Sequence, residues 1–197
     1  MMKRTFDLLV SGIVLILTVP VLLLAALAVR RSSPGPVIFR QERVGRGGRP
    51  FNILKFRTML SAQGSREITV GNDDRITPVG AMLRKWKIDE LPQLVNVLRG
   101  DMSLVGPRPD LPSYVARYPE ALRRQVLSVR PGITDPASVK YRNENDLLAL
   151  QADPDRYYLD VIMPDKLAMG ATYAARPTLI NDIRIIVTTI RTIVTDR

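Results

Sequence analysis

The sequence predicts a helix-rich α/β protein with a small β-hairpin, set behind an N-terminal membrane helix and finished by amphipathic surface helices. Three observations predict it. The run Leu8 to Val29 holds 22 residues without a charge, long enough to cross a bilayer as a helix. Two short β-type segments flank the glycine-rich turn "GRGGRP". Beyond them, apolar residues recur at helical spacing in segments that restart at prolines. At 197 residues and 46% apolar content the chain has room for one ordinary core plus an appendage, divided here as residues 1–31 and 32–197.

The first element is the apolar run. Lys3 and Arg4 precede it and Arg30 and Arg31 follow it, so the positive-inside rule draws both ends to the cytoplasm. Pro20 removes the hydrogen bond to the Ile16 carbonyl and clashes with that turn, which predicts a sharp kink. Each arm then rises only roughly 15 to 18 Å against a hydrocarbon core of about 30 Å. The expectation is a re-entrant helix that dips into one leaflet and returns. A kinked spanning helix and a secretory signal are the alternatives. Ala26-Leu27-Ala28 resembles a cleavage site, but Asp7 sits where a signal's basic region should hold no acid.

After "RRSSPGP" the alternation of Val37, Phe39, Phe51, Ile53 and Phe56 fits a half-buried hairpin, with "GRGG" read as its turn. Residues 60–75 are polar and read as a loop. Thr77 can cap and Pro78 can open a helix whose apolar face is Val79, Met82, Leu83 and Trp86. Pro92 starts a second helix with Leu94, Val95 and Leu98 on one face and Gly100 as terminator. "YPEALRRQVLSV" is a short amphipathic helix, and the following segment reads as helices broken at Pro154 and Pro164. The terminal helix carries a stripe of Leu179, Ile183, Ile186, Val187, Ile190, Ile193 and Val194, suited to a membrane surface or to the core.

Composition narrows the chemistry. A formal charge of +10 points to anionic partners: nucleic acid, anionic lipid or a phosphorylated substrate. No nucleic-acid motif is recognisable. The chain has no Cys, which fits a reducing compartment, and no His, which excludes Ser-His-Asp triads and HExxH sites. Catalysis is left to carboxylates, Lys, Arg, hydroxyls or a hard oxygen-ligated metal such as Mg2+.

The adjacent carboxylates Asp89 and Glu90 lie in "KWKIDELPQLVNVLRGDMSLVGPRP", at a predicted helix N-terminus. The helix dipole and Arg84, Lys85 and Lys87 favour their ionised forms, and the paired charge suits a divalent cation. An ionised Asp is also a competent nucleophile toward phosphorus. Lys55, Arg57, Arg108, Arg130 and Arg142 can offset phosphate charge.

With these residues assembled, the chain resembles the bacterial sugar transferase family, in its small monotopic phosphoglycosyl transferase form. The likeness rests on "KRTFD" with the Pro-interrupted apolar run, "GPVIFRQERVG", "FNILKFRTM", the block from Leu83 to Pro109, and "VRPGIT". It implies a re-entrant membrane helix and an α/β catalytic domain on the cytoplasmic face of the bacterial inner membrane. It implies Asp89 as the nucleophile that takes a phosphosugar from a UDP-sugar with release of UMP, and Glu90 as the carboxylate that holds Mg2+. Pro107, Arg108 and Pro109 match the element associated with nucleotide and phosphate binding, and Lys55, Arg57 and Arg142 match basic positions. Polyprenol phosphate in the membrane would accept the sugar phosphate, the first membrane step of glycoconjugate synthesis. Many members continue "RPGIT" with "GLAQVNGRN", whereas this chain has "DPASVKYRNEN" from Asp135 to Asn145, so the sugar cannot be carried over. The competing readings are a membrane-anchored basic binding protein without catalysis and a UDP-sugar hydrolase. A homodimer is left open.

Overall fold

The computed structural model describes residues 2–60, 69–71 and 73–195. Helix α1 spans Met2–Ser32 and passes through Pro20 without interruption. The two separate arms expected from Pro20 are therefore one helix of about 46 Å at the α-helical rise. Proline deletes one ladder bond, and the turns around it hold. Thr18 donates from Oγ1 to the carbonyls of Val14 and Leu15 at 2.7 and 3.3 Å, occupying backbone acceptors one turn before the proline.

The two halves of α1 pack on the rest of the chain at different places. Phe6, Val10, Val14 and Leu15 lie against a cluster of Leu94, Leu104, Val105 and Tyr173. Leu22, Ala25, Ala26 and Val29 lie against Phe56 and Leu83. The N-terminal end is also tied by polar groups. Buried Asp7 accepts from Ser103 Oγ at 2.8 Å and from the Leu104 N–H at 3.3 Å. Lys3 Nζ donates to Asp182 Oδ2 at 2.5 Å and to the Val105 carbonyl at 3.1 Å. Tyr173 donates to the same Asp182, at 2.6 Å. The acid that was out of place for a signal sequence is a fastener.

β1 (Ile38–Val44) and β2 (Pro50–Phe56) form the expected antiparallel hairpin, with Ile38 opposite Phe56 and Val44 opposite Pro50. Its turn uses Gly47 and Gly48 at φ +70° and +79°, which supports the turn reading of "GRGG". Ile53 and Phe56 are buried, but Phe39, opposite Lys55 in the register, is exposed. The described flanks of the polar segment meet at a Met59–Ile76 bridge; residues 61–68 and 72 of that expected loop lie outside the described residues.

α2 spans Pro78–Lys85, capped by Thr77, whose Oγ1 accepts from the Gly80 N–H at 2.9 Å. Only Leu83 of its expected apolar face is fully buried; Met82 and Trp86 are exposed. α3 spans Gln93–Arg99 with Pro92 as its cap residue and Gly100 in the left-handed region at φ +94°. Its buried face is Gln93, Leu94, Asn96 and Val97, shifted from the expected one, and Leu98 faces outward. The shift is polar in origin. Asn96 accepts from the Leu54 N–H at 3.0 Å and donates to the Asn52 carbonyl at 2.8 Å, so it staples α3 to β2.

β3 (Ser103–Val105) and β4 (Gly132–Thr134) form a short parallel pair. The backbones at Gly106 and Gly132 touch: a Cβ on Gly132 would stand 2.1 Å from the Gly106 nitrogen. Between and after them come α4 (Pro112–Val115), α5 (Glu120–Val126), α6 (Pro136–Lys140) and α7 (Glu144–Ala149). α8 (Pro154–Tyr157) then passes through one π-helical stretch, Tyr158–Ile162, into α9 (Met163–Ala175). The expected break at Pro164 is thus absorbed, since a proline in the first turn of α9 needs no N–H partner and the wide turn before it takes up the strain. α10 (Leu179–Thr195) splits its predicted stripe: Ile186 packs inward, joined by Ile185 from outside the stripe, while Ile183, Val187, Ile190 and Val194 are exposed, as is Ile180.

Candidate active site

The acidic pair sits in a single 3-10 turn, Ile88–Glu90, between α2 and α3. It lies just before α3 and not within its first turn. Lys87 makes the reversal possible by adopting the left-handed region at φ +54°. For a non-glycine residue this costs roughly 1 kcal/mol, and it presents both carboxylates to one side of the α2–α3 corner.

Glu90 is the hub of a charge cluster. Its Oε1 accepts from Lys55 Nζ at 2.8 Å and from Arg108 at 2.9 Å. Lys55 comes from β2 and Arg108 from the segment after β3, so three elements converge on one oxygen. Burial alone would raise the Glu90 pKa, but Arg108, Lys55 and Lys87 together hold it well below the usual carboxylate range. Arg108 is correspondingly held protonated by Glu90. Lys55 is lowered, because its desolvation outweighs the attraction of Glu90.

Asp89 differs from the sequence expectation. Burial first, then the charge of Glu90, raises its pKa, and Lys55, Lys87 and Arg84 only partly oppose this. Oδ1 of Asp89 is buried with no donor. Asp89 therefore presents a buried, unpartnered oxygen within the electrostatic reach of Lys55, Lys87 and Arg84.

The donor set fits a hard divalent cation. Asp89 and Glu90 would offer adjacent carboxylates, one with an unpartnered buried oxygen, and Mg2+ is commonly held by one or two carboxylates with substrate phosphates completing its shell. Among the described residues there is no group of three or more carboxylates, so the protein would hold only part of that shell.

Not every expected cation joins the pair. Arg57 is buried and donates to the Ser33 carbonyl at 2.7 Å, at the C-terminal end of α1, with its Nε and a second nitrogen unpartnered. Arg142 donates to the Thr192 carbonyl in the last turn of α10. Both guanidiniums thus meet the negative ends of helices, where cations are favoured. Arg130 donates from Nε to the Gly100 carbonyl at 2.9 Å, closing the α3 terminus. Pro107 and Arg108 line two small cavities: one of ≈ 30 Å³, with Asp110, Tyr118, Ser138 and Lys166 among its other residues, and one of ≈ 10 Å³ that Pro109 also lines.

Sequence reasoning missed Asp7, Asn96, Asp135 and Asp182, all buried polar groups with structural bonds. Only Asp7 gave a signal, as an acid at the edge of an apolar run.

The model of the family described as bacterial sugar transferase matches residues 1–196. The UDP-glucose:undecaprenyl-phosphate glucose-1-phosphate transferase of Caulobacter vibrioides is 41% identical over 199 residues, covering 98% of this chain and 70% of that protein. The protein of the same name in Escherichia coli is 44% identical over 153 residues, 75% of this chain, and the match spans 33% of its length. The UDP-N-acetylgalactosamine-undecaprenyl-phosphate N-acetylgalactosaminephosphotransferase of Aeromonas hydrophila is 42% identical over 165 residues, 80% of this chain and 38% of that protein.

Proposed function

This chain belongs to the bacterial sugar transferase family, and from that premise we propose that it transfers a sugar 1-phosphate from a UDP-sugar to undecaprenyl phosphate. The observation that carries the proposal is the juxtaposition of Asp89, with a buried unpartnered oxygen, and the Glu90–Lys55–Arg108 cluster.

In the first half-reaction an Asp89 oxygen attacks the β-phosphorus of the UDP-sugar. The bond from that phosphorus to the bridging oxygen breaks, and UMP leaves with the electron pair. The product is an acyl phosphate joining Asp89 to the sugar. In the second, a phosphate oxygen of undecaprenyl phosphate attacks the same phosphorus and Asp89 is expelled as carboxylate. Lys55 and Arg108 offset the charge of the diphosphate, and the low local dielectric strengthens that attraction. Mg2+ held by Glu90 and Asp89 would add further neutralisation of the phosphates.

The membrane arrangement is part of the proposal. Both halves of α1 are held against the same body, while Leu9, Ile13, Ile16, Leu17, Leu23 and Leu24 face outward. Arg30 and Arg31 are exposed at its end, and Trp86 and the outer stripe of α10 are exposed elsewhere on the body. These features support a monotopic protein whose first helix enters one leaflet of the inner membrane, with the site on the cytoplasmic side.

The deciding experiment incubates the full chain with Mg2+ and a panel of labelled UDP-sugars, following UMP release and intact mass. With the right sugar the protein gains one phosphosugar, and Asp89→Asn gains none. Full turnover by Asp89→Asn refutes the nucleophile. Glu90→Gln shifts the Mg2+ requirement upward; an unchanged Mg2+ titration removes Glu90 as a metal ligand. Free sugar phosphate formed without lipid acceptor would make the protein a hydrolase.

A further inference from the structure

Asp135 begins the segment "DPASVKYRNEN" that follows "RPGIT". It is 2% exposed. The parallel β3–β4 pair delivers it beside the Arg108 backbone, since the Gly106 N–H bonds the Thr134 carbonyl at 3.1 Å and the Gly132 N–H bonds the Pro107 carbonyl at 3.0 Å. Its two oxygens then divide. Oδ2 accepts from the Arg108 N–H at 3.3 Å, and Oδ1 accepts from the Ser138 N–H at 2.6 Å, capping α6.

One carboxylate thus ties the backbone of the phosphate-facing arginine to the start of α6. The other end of α6 is anchored independently, because Asp165 of α9 accepts from Lys140 at 2.7 Å and from Tyr141 at 2.8 Å. Ser138 and Arg108 border the same cavity. α6 is consequently a braced wall, and Asp135 is the joint between that wall and Arg108.

We propose that Asp135 is a positioning residue that fixes Arg108 for the diphosphate of the UDP-sugar, through its backbone, in addition to capping α6. This rests on the transferase reading of the site. The guanidinium grips substrate and transition state alike, so loosening it weakens substrate binding more than the chemical step.

A cap alone and a positioning joint are separable by substitution. Asp135→Ser keeps a good cap for α6 but is one atom too short to serve both N–H groups. We expect its Tm to stay within about 2 °C of the parent, a shift of under roughly 1 kcal/mol. We expect KM for the UDP-sugar to rise roughly tenfold with kcat changed less than about threefold. Hydrogen exchange at the Arg108 amide, read by mass spectrometry on the full chain, should accelerate in the same variant. If Asp135→Ser folds poorly, Asp135→Asn gives the same comparison with one acceptor retained at full reach. Unchanged KM together with unchanged Arg108 exchange in a folded variant overturns the proposal and leaves Asp135 a cap. If the wild type turns over no UDP-sugar of the panel, the transferase reading fails, and the exchange measurement alone decides whether Asp135 holds Arg108.

Discussion

Replacing Glu90 with Gln tests the charge cluster without changing its shape. Glu90 is 8% exposed, and its Oε1 receives two cations at 2.8 and 2.9 Å. At an effective dielectric of about 20 the Lys55 contact alone is worth roughly 6 kcal/mol before desolvation is counted. Most of that is offset by the burial of both partners, and breaking a buried pair typically destabilises by about 3–5 kcal/mol. The Arg108 side chain is 38% exposed and recovers water when its partner goes, so the lower figure of about 3 kcal/mol applies. For a chain of this size that lowers Tm by roughly 6 to 12 °C. The assay is thermal unfolding in detergent micelles at neutral pH, with Lys55→Met and the double variant completing a cycle. The double variant should be more stable than Glu90→Gln, because the stranded ammonium is removed with its anion. A Glu90→Gln protein within about 0.5 kcal/mol of the parent, or a double variant no better than the single, would refute the hub assignment.

Asp89→Asn should be inactive yet more stable than the parent. Its raised pKa means that ionisation opposes folding as pH climbs above the unfolded value of 3.8, so the gain in Tm appears above that pH and vanishes below it. Glu90 behaves oppositely: its stabilisation is present above 4.5 and is lost as pH falls through its depressed folded value, so the Glu90→Gln deficit should shrink only in strong acid. Lys87→Gly relieves a left-handed backbone and should stabilise by up to about 1 kcal/mol in thermal unfolding, while slowing UMP release by removing a cation that favours ionised Asp89. Asp7→Ala strands Ser103 Oγ and the Leu104 N–H and should cost about 2 kcal/mol or more, read as a lower Tm and as faster proteolysis near the α1 N-terminus.

What the sequence made legible was local. The hairpin followed from alternation around a glycine turn, α2 from Thr77 and Pro78, and the end of α3 from Gly100. The acidic pair's place at the corner before α3 was legible for the same reason, since Pro92, two residues after Glu90, marks a helix start. The buried face of α3 was not, because Asn96 faces inward to reach Leu54 and Asn52, residues 42 and 44 positions away. Periodicity counts apolar residues and is blind to an amide that earns its burial through bonds. The places of Arg57 and Arg142 were not legible for a related reason: a cation's charge is visible in sequence, but that each donates to a carbonyl at a helix end is decided by tertiary placement.

The sign of the Asp89 shift and the fastening of α1 belong to one argument about placement. Asp7 and Lys3 bind β3 itself, the strand that leads directly to Arg108. At its other end α1 packs on Phe56 and Leu83, which belong to the strand carrying Lys55 and the helix preceding Asp89. The apolar helix therefore braces both arms of the Lys55–Glu90–Arg108 cluster. On the proposed function, a lipid-embedded α1 would hold Asp89 at a fixed depth relative to the membrane surface, where a phosphate on a lipid carrier must present itself. Removing residues 1–31 should accordingly disturb the site as well as its attachment. The test is thermal unfolding together with Asp89-dependent UMP release for the truncated chain in detergent, where attachment no longer matters. Loss of both activity and cooperative unfolding is the expected result, and a truncated chain that unfolds cooperatively with full UMP release would show α1 to be an anchor alone.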